Sequence, residues 1–131
     1  MAARAANVAI DLDGIVRLIR DRREEVVLVE GAGGWRVPIT ETVDMAGFAK
    51  RCGGLVLVVA RAGLGTINHS LLTLEAIARD GLEVAGLVLS ALPTDEPELT
   101  RSNLEELRRL WKGRVSLHDD LDDLLHVPRG T

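Results

Sequence analysis

The sequence predicts an α/β fold, a three-layer arrangement in which a parallel sheet carries helices on both faces, formed as one domain over residues 1–131. Three observations predict it. The runs VVLV at 26–29 and LVLVVA at 55–60 are too short for ordinary helices and too uniformly apolar for half-exposed strands, so they read as strands buried on both faces. Segments with helical spacing separate the apolar runs, and that alternation is the order of parallel strands joined by right-handed crossovers. Aliphatic residues dominate: 47% of the chain is hydrophobic, while the aromatics are Trp35, Phe48 and Trp111 alone. A chain of 131 residues with that composition builds one core.

Taken in order, the Ala-rich opening to Ala9 carries one charge, Arg4, and reads as a short helix or a frayed end. Asp11 is placed to cap a helix running to about Arg23, because its carboxylate can accept from first-turn amides. Leu12, Ile15, Val16, Leu18 and Ile19 recur at helical spacing there, with Arg17, Arg20, Arg22 and Arg23 on the other side as a solvated basic face. Val26 to Val29 is the first strand. Trp35 to Thr42 is a loop, since Pro38 bars a helix. Asp44 to Arg51 is helical and ends at Gly53-Gly54. Leu55 to Ala60 is the second strand, RAGLGT at 61–66 a glycine-containing turn, and Ile67 to Ala78 a helix closed by Asp80-Gly81. Val84 to Leu89 is the third strand. Leu99 to Trp111 is an amphipathic helix, with Thr94 and Asp95 as caps before Pro97. Val115 to Leu117 reads as a short last strand, Asp119 to Leu125 as an acidic turn or more, and the tail from Val127 as loose.

Composition narrows the function classes. A net charge of −4 argues against general nucleic-acid binding, and the scarcity of aromatics leaves no platform for stacking bases. Cys52 is the only cysteine, so no intramolecular disulfide forms. No apolar run reaches membrane-spanning length and no signal peptide is visible, which leads to the expectation of a soluble, cytoplasmic protein without membrane partners.

The strongest chemical signal is VVLVEGAGG at 26–34. Glu30 falls at the C-terminal end of an expected strand, where open α/β sheets place their ligands. The glycines after it let backbone N–H groups approach an anion closely. An acid for a metal beside amides for a phosphate is a nucleotide-site pattern; a plain turn with a helix-facing Glu remains the alternative.

Two segments together, VVLVEGAGGWRVPITETVDMA at 26–46 and GLVLVVARAGLGTINHSLLTLEAIARDGLEVAGLVLS at 54–90, closely resemble dethiobiotin synthetase, a member of the P-loop class that also holds division-site and nitrogenase-iron-protein-like ATPases. The resemblance runs from about Ala3 to about Leu125. It implies an ATP- and Mg2+-dependent reaction in which 7,8-diaminopelargonic acid takes up carbon dioxide as a carbamate. The carbamate is phosphorylated and then attacked by the second amine, closing the ureido ring of dethiobiotin. It implies that Glu30 is a metal-binding acid, suited to a hard ion that takes oxygen ligands. Glu30, Gly31, Ala32 and Gly33 would lie against the nucleotide phosphates, and Ser90 would stand where the family has an adenine-reading Asn. Leu64, Gly65, Thr66, Ile67 and Asn68 would form the helix start that holds the substrate carboxylate across a homodimer interface, through free amides and the helix dipole. Gly65-Thr66 also reads as an ordinary helix cap, and His69 as a structural hydrogen-bonding residue.

The departures are as informative. No G-x-x-x-x-G-K-[ST] occurs, and neither lysine, Lys50 or Lys112, follows a glycine. The fold expected is therefore an incomplete P-loop NTPase-like one lacking the P-loop strand, with no catalytic residue in this chain and little ATP binding by the chain alone. In the class that strand lies between the EGAGG and LVLVVA strands, so those two must close up or receive a strand from elsewhere. Ser keeps a donor and an acceptor but loses the paired geometry of an amide, which weakens adenine selectivity. The expectation is half of a split enzyme working with a separate P-loop-bearing chain, or a truncated or late-started copy. The alternatives are a non-catalytic binding or dimerisation module, and another P-loop amidating relative.

Overall fold

The structure, a computed structural model, describes residues 8–120, so the expectations for the first seven residues and for the tail from residue 121 lie outside it. The chain divides into two compact units, residues 1–54 and 55–131.

The first unit holds two helices, α1 (Leu12–Arg20) and α2 (Met45–Cys52). Asp11 caps α1 as expected, its Oδ1 accepting from Gly14 N at 2.9 Å. The helix stops at Arg20, three residues short of the expected end, where the Asp21 N–H closes back on Arg17. Of its apolar residues only Leu12 and Val16 are buried; Ile15 and Leu18 face outward. Its C-terminal arginine donates to the Arg51 carbonyl of α2 at 2.7 Å, and Arg51 returns to Asp13 at 3.0 Å. Asp44 caps α2 by accepting from Gly47 N at 2.8 Å. Gly53 ends the helix at φ 76°, which L side chains rarely adopt.

The expected strand at 26–29 is corrected. Val26 to Val29 form no ladder with any described residue, and all are exposed, Leu28 to 86%. The reason is that strand identity requires a hydrogen-bonding neighbour. The first unit's sole described β-bridge, Pro38 with Asp44, joins the loop before α2 and leaves this segment unpaired.

The second unit is a parallel α/β layer: β1 (Val56–Arg61), α3 (Thr66–Arg79), β2 (Val84–Ser90), α4 (Pro97–Leu110) and β3 (Val115–Leu117). The sheet order is β1-β2-β3, all parallel, as the alternation predicted. Val58 stands beside Leu87, Arg61 beside Ser90, and Leu89 beside Leu117. The central strand β2 is the most apolar in setting, with Leu87 and Leu89 fully buried. β1 is an edge strand among the described residues, and its Leu57 and Val59 are exposed. α3 packs on β1 and β2, α4 on β3, and the two helices touch. Ile77 of α3 and Leu107 of α4 are fully buried and join Leu87 and Leu89 in the core.

Caps refine the expected boundaries. Asp80 ends α3, with Gly81 following at φ 77°. The expected capping of α4 by Thr94 or Asp95 is corrected: Glu96 is the N-cap and bonds no amide through its side chain. Asp95 instead closes the preceding turn, its Oδ2 accepting from Leu92 N at 2.8 Å, because Pro97 at the start already brings the φ the helix needs.

Candidate functional site

Parallel strands deliver their C-terminal ends to one edge, and in the second unit that edge collects the functional candidates. β1 ends at Arg61, and Ala62 N then donates to Ser90 O at 3.0 Å, carrying the ladder one residue further. The chain turns through Gly63, Leu64 and Gly65 into α3. Leu64 is 94% exposed, and Gly65, the N-cap, sits at φ 88° in the left-handed region. A β-carbon there would meet nothing closer than the His69 ring at 3.8 Å, so the glycine answers a backbone demand rather than a spatial one.

No side chain caps α3, and no acid lies in its first turn. Thr66 N donates to Gly63 O at 3.3 Å and His69 N to Gly65 O at 3.2 Å. Between them, Ile67 and Asn68 hold first-turn positions whose amides have no acceptor within the helix. Asn68 and His69 are exposed. Thr66 is buried, with Oγ1 3.4 Å from Ser70 Oγ, so its hydroxyl faces inward rather than toward a ligand. The exposed Arg61 guanidinium lies 4.0 Å from Asp95 Oδ1 and adds positive charge beside the turn.

The other strand ends close in on the same edge. Ser90 is half-buried at the end of β2, in register with Arg61. Just past β3, His118 N donates to Leu89 O at 3.0 Å, and its Nδ1 accepts from Ala91 N at 3.4 Å. From α4, Asn103 donates its side-chain amide to Ala62 O at 2.7 Å and to Gly63 O at 3.3 Å. The sequence pattern did not single out Asn103 or His118, and it gave Asp95 only a capping role. A signal for Asn103 was present: a poor helix former sits in the buried stripe Thr100, Asn103, Leu104, Leu107.

Within the first unit, Glu30 is exposed at the end of the unpaired 26–29 segment, not sealed in an apolar layer. Gly31 packs against Met45, and a β-carbon there would fall 3.1 Å from Sδ. Gly33 has φ 80°, and Val37 N donates to Gly34 O at 3.0 Å. The α2 start is already spent: Met45 N donates to Val37 O and Ala46 N to Trp35 O, each at 3.0 Å, and Gly47 N to Asp44. The two helix starts therefore differ in kind, one self-satisfied and the other carrying amides without helical acceptors. Among the described residues no group of three or more His, Cys, Asp or Glu is placed to hold a metal. Glu30 alone is a single oxygen donor. That suits an ion of the magnesium type, which is bound by one or two carboxylates and fills its other positions with phosphate oxygens and water.

A parallel α/β layer with a glycine-bounded helix start at the carboxyl edge is the layout of a phosphate- or carboxylate-binding α/β protein. Residues 1–123 match the family model described as an AAA domain, and the chain belongs to that family. The chain resembles dethiobiotin synthetases. It is 46% identical over 112 residues to the ATP-dependent dethiobiotin synthetase BioD of Anaeromyxobacter dehalogenans (strain 2CP-C), covering 83% of this chain and 50% of that protein. Against the enzyme of the same name from Anaeromyxobacter sp. (strain Fw109-5), identity is 42% over 130 residues, 97% of this chain and 56% of the relative. Against that from Mycobacterium avium (strain 104), it is 43% over 120 residues, 88% and 53% respectively. The chain thus spans about half the length of the curated relatives it matches. No helix of the described residues is long and apolar enough to cross a membrane.

Proposed function

We propose that this chain carries the substrate-carboxylate and metal-acid portion of a dethiobiotin synthetase, the enzyme that carboxylates 7,8-diaminopelargonic acid and closes its ureido ring at the expense of ATP. The observation that carries the reading is the start of α3 at the carboxyl edge of the sheet, with no side-chain cap and no acid in its own first turn. Amides without helical acceptors and the positive end of the helix dipole favour a carboxylate there. In this reading Leu64 to Asn68 hold the substrate through the backbone, with Arg61 adding charge and Asn68 a side-chain donor. Ser90 faces the nucleotide base, and Glu30 to Gly33 lie along the phosphates with Glu30 as the magnesium ligand. Magnesium and ATP supply charge neutralisation and the phosphoryl group when bound; the residues of this chain bind and orient.

The phosphate cradle belongs, in the proposal, to sequence beyond these 131 residues, since no G-x-x-x-x-G-K-[ST] is present. A P-loop-bearing segment or separate chain supplies it, in a cytoplasmic homodimer whose shared interface includes α3. A second reading is a binding module that keeps the carboxylate site without ATP chemistry.

Complementation of a biotin auxotroph blocked at ring closure tests the proposal. Growth is expected when the chain is expressed with a P-loop-bearing polypeptide of the family and not when it is expressed alone. Calorimetry separates the two readings: both require that the chain bind 7,8-diaminopelargonate, and only the enzyme reading requires the complemented pair to consume ATP. No binding of the diamino acid in either setting would overturn both.

A further inference from the structure

The turn that leads into α3 has little to hold it. Glycines flank it at Gly63 and Gly65, and the residue between them, Leu64, packs on almost nothing. Glycine-flanked backbone without packing keeps many conformations open, so hydrogen bonds must choose among them. The carbonyl of Ala62 lies just past the end of the β1 ladder, where no further strand residue donates to it, and that of Gly63 has a long backbone bond, 3.3 Å from Thr66 N. Ala62 is fully buried, and a buried carbonyl needs a partner.

Asn103 supplies that partner from about 40 residues away in sequence, with Nδ2 2.7 Å from Ala62 O and 3.3 Å from Gly63 O. Two carbonyls can be faced only by the NH2 end of the amide, since its oxygen would repel both. Asn103 is itself 6% exposed and is anchored beside Leu104 and Leu107, so its reach is set by the packing of α4.

We infer that Asn103 is a positioning residue: its side-chain amide, reaching across from α4, fixes the Ala62–Gly65 turn in the one conformation that presents the α3 amides to a ligand. The inference deepens the proposed carboxylate site and rests on that reading for the ligand's identity. Losing the donor frees the Ala62 carbonyl to rotate toward water and leaves Gly63 O with the 3.3 Å bond from Thr66 N, so the helix start loses part of what fixes its aim.

The test compares Asn103→Leu, similar in size and lacking a donor, with the unmodified chain and with Thr100→Val, a buried change on the same helix. Asn103→Ser replaces the leucine variant if that one does not fold. Two quantities are measured: amide hydrogen exchange at Ala62, Thr66 and His69, and calorimetric affinity for 7,8-diaminopelargonate. The Asn103 change is expected to speed exchange at those amides about tenfold beyond any change at Leu87 and Leu89, and to weaken binding about tenfold, as the loss of one buried hydrogen bond implies. Thr100→Val is expected to alter neither. Unchanged exchange at the turn, equal loosening by Thr100→Val, or unchanged affinity in a variant whose turn has loosened would each overturn the inference. If the unmodified chain does not bind the diamino acid while the turn still loosens on losing Asn103, the carboxylate reading fails and the clamp stands.

Discussion

At the scale of single residues, the question is which side chains are present for space, for backbone or for charge. Gly65 is a backbone case: at φ 88° an alanine is strained although its nearest neighbour would be an ordinary 3.8 Å away. Gly65→Ala should therefore cost about 1 kcal/mol, visible as a lower urea midpoint, and should tilt the α3 start that the proposed ligand uses. Cys52 is a burial case. Desolvation pushes its thiol above the usual range, and the nearby Arg20 charge pulls weakly the other way. A raised value in the folded state means the protonated thiol is the favoured native form. Its contribution to stability is complete below the unfolded thiol's pKa and is lost as pH rises through the folded one. Alkylation by iodoacetamide at pH 8.5 should accordingly be slower in the native protein than in urea, and slower still in Arg20→Ala. Glu106 is a charge case, held below the usual carboxylate range mainly by the hydrogen bond from Arg109. Because the pair is on the surface, it adds little to stability.

At the scale of elements, the two helix starts show how capping separates a structural end from a binding end. Asp44 closes α2 with a 2.8 Å bond to Gly47 N. Asp44→Ala should cost about 1 kcal/mol in thermal or urea unfolding, the usual worth of an aspartate N-cap. α3 has no such side chain, so nothing equivalent can be removed from it, and its stability rests on Leu74 and Ile77 in the core. The two apolar runs divide in the same way. LVLVVA becomes β1 because β2 supplies a ladder from Val56 to Arg61. VVLV at 26–29 has the same local character and remains irregular and exposed, since no described residue pairs with it.

At the scale of the whole molecule, stability in the second unit is concentrated where α3, α4 and β2 meet. Leu87 and Leu89 sit in the middle strand, with Ile77 and Leu107 also fully buried. Leu87→Ala leaves a cavity bounded on several sides and should cost about 2–5 kcal/mol, measured by urea denaturation. A change at exposed Val59 on the edge strand should cost far less.

Much of this protein was legible in the chain of residues because it depends on near neighbours in sequence. The capping of α1 by Asp11, the stop at Gly53, the turn before α3 and the alternation of β1, α3, β2, α4 and β3 all follow from local propensity, periodicity and the special backbone of glycine and proline. The family resemblance was legible for the same reason, since EGAGG and GLGTINH are contiguous. The tertiary structure decided what needs partners distant in sequence. It decided that 56–61 is a strand while 26–29 is not, that Thr66 turns its hydroxyl inward, and that Asn103 reaches back about 40 residues to the turn beside the α3 start. A hydrogen bond between remote residues, like a strand's pairing, exists only once packing has brought both ends together, and no local pattern encodes that meeting.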